Sequence, residues 1–119
     1  LGNALWNQTQ LLGEPSLQGG LFSIRPSKLD LQFDASWNDV WPDPAGQLAR
    51  VGFDAMALVA VLAKSGEENW AKQIVSNSGF QGFSGAFRLL PNGRNIRSFE
   101  LRQIKQGHAE IIKPAPDKI

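Results

Sequence analysis

The 119-residue chain contains no cysteine and one histidine, His108. Without cysteine there are no disulfides, no thiol catalysis and no cysteine-based metal sites, which is compatible with an oxidising compartment. His108 falls in a predicted turn, KQGH, where it reads as a solvated residue. Ser84 lies in GFSG rather than in the G-x-S-x-G spacing of a nucleophile elbow, so a Ser-His-Asp triad is not expected. No apolar run approaches a membrane span, and no charged segment followed by an apolar one stands at the start. Twelve Lys+Arg against eleven Asp+Glu leave a net charge of +1 with the basic residues scattered, so the footprint of a nucleic-acid or anionic-membrane binder is missing. What is present is the make-up of a globular protein, 42% apolar and 19% charged, long enough for one ordinary domain.

Three zones follow from periodicity and punctuation. Residues 1–26 carry a polar patch, a Glu14-Pro15 break and then LQGGLFSIRP, which predicts a short helical turn followed by one strand ending at Pro26. Residues 27–78 are helical. Leu29, Phe33, Trp37 and Trp41 recur on one face, with Ser27 and Asp30 as a capping-box signal, predicting a helix over 27–40. WPDPAG ends it, and Asp43 with Pro44 predicts the start of a second helix over 44–64. In that helix Leu48, Val51, Ala55, Leu58 and Leu62 form a stripe, while Ala57, Val59, Ala60 and Val61 leave little of the circumference polar, so burial on most sides is expected. Ser65 and Glu68 predict a third helix over 67–75, with Trp70 and Ile74 inward.

From Ala86 onward the period becomes that of strands. Residues 86–90, 96–104 and 109–113 predict a three-stranded antiparallel meander, with PNGR and KQGH supplying glycine to the turns. In the middle strand Ile96, Ser98, Glu100, Arg102 and Ile104 would share one face, with Phe99 and Leu101 on the other. Gly79, Gly82 and Gly85 form G-x-x-G-x-x-G, but they follow a helix and open a strand, the reverse of a phosphate-binding loop. The tail PAPDKI, 114–119, is expected to fray.

LQGGLFSIRP, then VGFDAMALVAVLAKSG, then GFQGFSGAFRLLPNGRNIRSFELRQIKQGHAEIIKPAP resembles, in that order, the C-terminal part of type I periplasmic solute-binding proteins, the branched-chain amino-acid receptor family. The related lipoprotein activators of penicillin-binding proteins have similar wording, and both branches stay open. The resemblance implies an α/β fold with two lobes around a cleft and three hinge crossings, of which residues 1–119 would be an incomplete domain, about the final third. On it, 1–26 is a strand and hinge segment, 27–78 helical, and 79–113 hinge and meander. Gly20, Gly79 and Gly82 would serve the hinge.

The resemblance further implies a non-enzymatic periplasmic receptor with no cofactor and no metal. Its partners would be a small polar solute or amino acid, a membrane transporter or a penicillin-binding protein, and the parent could be lipid-anchored. Trp6, Phe53 and Asp54 are the candidate ligand contacts. Asp54 lies in an apolar helix, where its charge must reach solvent or find a hydrogen-bond donor; the structural role is the leading one. Asp30, Asp34, Asp39 and Asp43 read as caps and solvated residues, and Trp37, Trp41 and Trp70 as core. Receptors of this family often place an acidic residue after the strand that here ends at Leu1-Gly2 to hold the ligand ammonium. Asn3-Ala4-Leu5-Trp6 stands there instead, so an amino-acid ligand is disfavoured. Uncovered apolar faces of the 48–62 helix and of the meander are expected to drive self-association.

Overall fold

The computed structural model describes residues 1–66 and 68–119, with Gln47 described by its backbone alone. In chain order the elements are a 3-10 turn at Ala4–Trp6, α1 (Thr9–Leu12), a second 3-10 turn at Pro15–Leu17, β1 (Leu21–Ile24), α2 (Asp30–Asn38), α3 (Gln47–Lys64), α4 (Trp70–Ile74), β2 (Phe80–Gly82), β3 (Gly85–Leu89), β4 (Asn95–Arg97), β5 (Glu100–Lys105) and β6 (His108–Lys113). The mixed α/β class and the run of helices followed by antiparallel strands agree with expectation. Two compact units are formed, residues 1–26 with 98–116 and residues 27–97 with 117–119.

The first unit is a three-stranded sheet in the order β1-β5-β6, antiparallel throughout. Strand alternation works here as the pleat requires: Phe22 and Ile24 point inward and are buried while Ser23 is exposed. Phe22 and Ile104 are fully buried and, with Ile24, form a core against which Trp6, Leu12, Leu17 and Ala109 pack. Gly2 adds a parallel bridge to Phe22, its N–H donating to Leu21 O at 2.7 Å.

A two-residue turn joins β5 to β6, with Gln106 at φ 49° and Gly107 at φ 79°. Both central positions need left-handed backbone, which a glutamine adopts at a cost of about 1 kcal/mol. Gln106→Gly is therefore expected to raise stability by about 0.5 kcal/mol, the gain being trimmed by the entropy of a glycine in the unfolded chain. A lower urea midpoint for the variant would contradict this.

The second unit carries the other sheet, a meander in the order β2-β3-β4. A three-stranded antiparallel meander is thus present, but it begins at Phe80 and ends at Arg97. The strand expected over 96–104 is broken: β4 pairs with β3, whereas β5 pairs with β1. The face formed by Ile96, Ser98, Glu100, Arg102 and Ile104 is mostly polar, so it has no continuous apolar stripe to hold it to one sheet. The chain changes unit at Arg97–Ser98, and not over 79–85.

Helix α3 is the longest element, and among its described side chains the buried ones are Arg50, Asp54 and Leu62, with Leu58 half-buried between them. The expected burial on most sides is not observed. Leu48, Val51 and Ala55 of the expected stripe are exposed, as are Met56, Val59 and Val61. Apolar residues surround this helix, so periodicity could not select a face; the polar partners of Arg50 and Asp54 select it.

The helix starts also differ. α2 begins after Leu29 with no side-chain cap, α3 begins after Gly46 rather than at Asp43-Pro44, and α4 is capped by Asn69, whose side chain accepts from Lys72 N at 3.2 Å. Ser65 instead closes α3, its hydroxyl donating to Leu62 O at 2.7 Å. The start expected at Glu67 lies outside the described residues. Trp41 and Trp70 are exposed rather than core.

Candidate functional site

Asp54 is the one acidic residue on the apolar helix α3, and it is 4% exposed. Its carboxylate accepts from Phe83 N at 2.7 Å and from Ser84 N at 2.8 Å, and the Ser84 hydroxyl donates to it as well. The buried charge therefore has the donors that burial demands, supplied by the turn between β2 and β3. Arg97 Nη1 donates to Ser84 Oγ at 3.0 Å, and its guanidinium lies over the Phe87 ring at 5.0 Å. A chain of polar contacts thus runs from α3 through the turn to the last residue of β4.

The glycines of this segment answer to the same geometry. A Cβ on Gly82 would stand 2.4 Å from the Asp54 carboxyl carbon, so only glycine lets the carboxylate approach the turn. Gly79 and Gly85 have φ of 64° and 99°, and a Cβ on Gly79 would meet Phe87 O at 2.8 Å. These residues enter and shape the sheet. Gly79 and Gly82 lie inside the second unit, and Gly20, next to β1, lies inside the first, so none of the three expected hinge glycines is at a change of unit.

One turn of α3 before Asp54, the buried Arg50 guanidinium pairs with Asp34 and lies 3.4 Å from Asp30 through Nε. It also stacks on Phe33 at 4.8 Å. Around Phe33 the rings of Trp37, Phe53 and Phe83 gather with centroids 5.2–5.9 Å away. Trp41 continues the row at 5.9 Å from Trp37. The four-residue spacing of Phe33, Trp37 and Trp41 is the expected helical stripe, and the Trp37 indole N–H donating to Asp43 O at 2.8 Å folds the chain after α2 back beside it. Between these rings and Val40 lies an open, mainly apolar cavity of about 220 Å³. Phe53, half exposed, borders it.

Of the three candidate ligand contacts, Phe53 lines the cavity and Asp54 spends its carboxylate on the turn. Trp6 belongs to the first unit, where its ring covers Gly2 and Gly20 and packs 6.5 Å from Phe22. A Cβ on Gly2 would fall 2.2 Å from the indole, which explains the glycine and makes Trp6 a packing residue. Asn3 caps the first 3-10 turn by accepting from Leu5 N at 3.0 Å. Arg50, Trp37, Trp41 and Phe83 complete the arrangement and were not candidates; the Trp37–Trp41 spacing just before WPDP was the available signal. Among the described residues no group of three His, Cys, Asp or Glu is placed to hold a metal ion. No described helix is long and apolar enough to cross a membrane.

No family model matches the sequence, and no curated protein does. Three solved structures match in fold. A protein assigned as a branched-chain amino acid ABC transporter from Rhodospirillum rubrum superposes with a TM-score of 0.76 at 14% identity, covering 93% of this chain and 36% of its own. A leucine-binding protein from Thermotoga maritima gives 0.58 at 22% identity, over 97% of this chain and 37% of its own. An ABC-transporter solute-binding protein from R. palustris, solved with benzoate, gives 0.52 at 23% identity, over 86% and 32%. The chain therefore spans about a third of the length of the solved proteins it matches. Over nearly all of its residues it has the fold of ABC-transporter solute-binding proteins, part of the type I periplasmic-binding architecture that its sequence resembles.

Proposed function

We propose that the chain is part of a non-enzymatic, periplasmic solute receptor serving an ABC transporter. The observation that carries this reading is the fold likeness over 93% of the chain to a protein assigned to such a transporter. The solved relatives include a leucine-binding protein and one holding benzoate, so the solute class is a small organic molecule. A free amino acid is the weaker candidate. Asn3 is used as a cap and Trp6 as packing, and the first carboxylate of the chain is Glu14, so residues 1–13 offer no anion for an ammonium group. A small ligand needs most of its surface buried, and this chain supplies only about a third of the length of the receptors it resembles.

The 119-residue chain is accordingly expected to bind no amino acid measurably in calorimetry and to self-associate in sedimentation. Self-association would run through the exposed Leu48, Met56 and Val59 of α3. A strictly monomeric chain that binds leucine at micromolar concentration would overturn the reading as part of a larger receptor. The second reading, a periplasmic module that activates a penicillin-binding protein, would use the same exposed α3 face. Specific capture of such an enzyme, lost on Met56→Asp, together with no solute bound by the longer protein, would favour it.

A further inference from the structure

We propose that Asn92 is a site of spontaneous modification, at which its side-chain amide is converted through a cyclic imide with Gly93 to a mixture of aspartate and isoaspartate. The site lies in the turn between β3 and β4, within the second unit, and does not depend on the receptor reading.

The sequence selects the residue. Among the asparagines of the chain only Asn92 is followed by glycine. Glycine has no side chain to shield its backbone nitrogen, and its backbone freedom lets that nitrogen reach the preceding side chain. The structure leaves the position open: residues 91–94 are all exposed, and a Cβ on Gly93 would meet nothing within 4 Å.

The turn also prepares the reaction. Asn92 Oδ1 accepts from Arg94 N at 3.1 Å, which folds the side chain back along the Gly93 peptide, whose nitrogen is the nucleophile. A bond forms between Gly93 N and Asn92 Cγ, the Cγ–Nδ2 bond breaks, and the Gly93 amide proton passes through solvent to the departing ammonia. Negative charge develops on Oδ1 as Cγ becomes tetrahedral, and the Arg94 N–H is already directed at that oxygen. Water then opens the imide, giving aspartate when it adds at Cγ and isoaspartate when it adds at the main-chain carbonyl. One contact opposes the step: Gly93 N–H donates to Leu90 O at 3.0 Å and must be released first. A neutral bond of this kind at the surface holds the reaction back by at most about tenfold.

The isoaspartate product adds a methylene to the main chain of the turn. That turn is closed by the Gly93–Leu90 bond and by Leu90 N donating to Arg94 O at 2.8 Å, both set by the normal backbone. β4 is three residues long and pairs with β3 directly beyond the turn, with Leu89 opposite Asn95, so it is the strand that isoaspartate loosens.

The test is incubation of the native protein in mildly alkaline buffer, with peptide mass spectrometry locating each new acid and an isoaspartyl methyltransferase assay reporting the isomer. Asn92 is expected to convert at least about tenfold faster than Asn77, which serine follows, and faster than every other asparagine, at a rate that rises with pH. Gly93→Ala should slow conversion by about tenfold. Because Gly93 has a φ of 80°, where alanine is strained, Asn92→Gln serves as a second variant; its imide would need a six-membered ring, and almost no product should form. Circular dichroism verifies the fold of both variants. In urea the rate should stay within about tenfold of the native one. Another asparagine converting first, aspartate formed without isoaspartate, Gly93→Ala converting as fast as the native chain, or conversion confined to the unfolded chain would each overturn the proposal.

Discussion

Asp54→Ala is expected to lower the unfolding free energy by about 3 kcal/mol, because it strands two backbone donors, the half-buried Phe83 N–H and the buried Ser84 N–H, each costing about 1–3 kcal/mol when unpaired in the interior. The Ser84 hydroxyl loses its acceptor too, although it still accepts from Arg97. Against a typical total of about 5–15 kcal/mol this is a large fraction, and the turn between β2 and β3 should lose order first. Asp54→Asn keeps one acceptor oxygen and should cost roughly half as much. Gly82→Ala should approach the alanine variant from the other side, since its Cβ would stand 2.4 Å from the carboxyl carbon and push it off the turn. Urea denaturation followed by circular dichroism decides the matter. An Asp54→Ala protein within about 0.5 kcal/mol of the native one would mean that the turn holds itself.

The second large effect belongs to the first unit. Phe22→Ala should cost about 3–5 kcal/mol, the usual range for emptying a fully buried phenylalanine site. The site cannot close easily: Ile104 is itself fully buried beside it, and Trp6 is wedged against Gly2 and Gly20. Ile104→Val removes a single methyl group from the same core and should cost only about 1 kcal/mol. Hydrogen exchange adds a spatial check, with β1 and β5 amides expected to lose most of their protection in Phe22→Ala. Retention of that protection, with a loss under about 1 kcal/mol, would show that unit to be held by something other than this core.

These expectations rest on features that were unequally visible in the sequence. The α/β class, α3, the strand ending before Pro26 and the glycine turn at 106–107 came from periodicity and punctuation, which are local and independent of what the chain later meets. The order of motifs likewise pointed to the solute-binding fold. Exposure of α3 was not legible, because a helix apolar on nearly every side carries no directional signal. Nor was the break at Ser98: residues 96–104 alternate as one strand would, and only the partners available to each half, β3 for one and β1 for the other, divide it.

The candidate site divides in the same way. A charge within an apolar helix had to reach solvent or find donors, so the sequence alone left Asp54 those two outcomes, and the spacing of Phe33, Trp37 and Trp41 alone placed three rings on one face. Which donors and which further rings was a tertiary decision. Phe83 and Ser84 lie 29 and 30 residues from Asp54, and Phe53 and Phe83 close 5.3 Å apart only when the β2–β3 turn is drawn onto α3. Short-range rules of capping, pleat and helical period act on neighbours in the chain, whereas the buried carboxylate and the aromatic cavity are made by contacts between segments that have no sequence relation to each other.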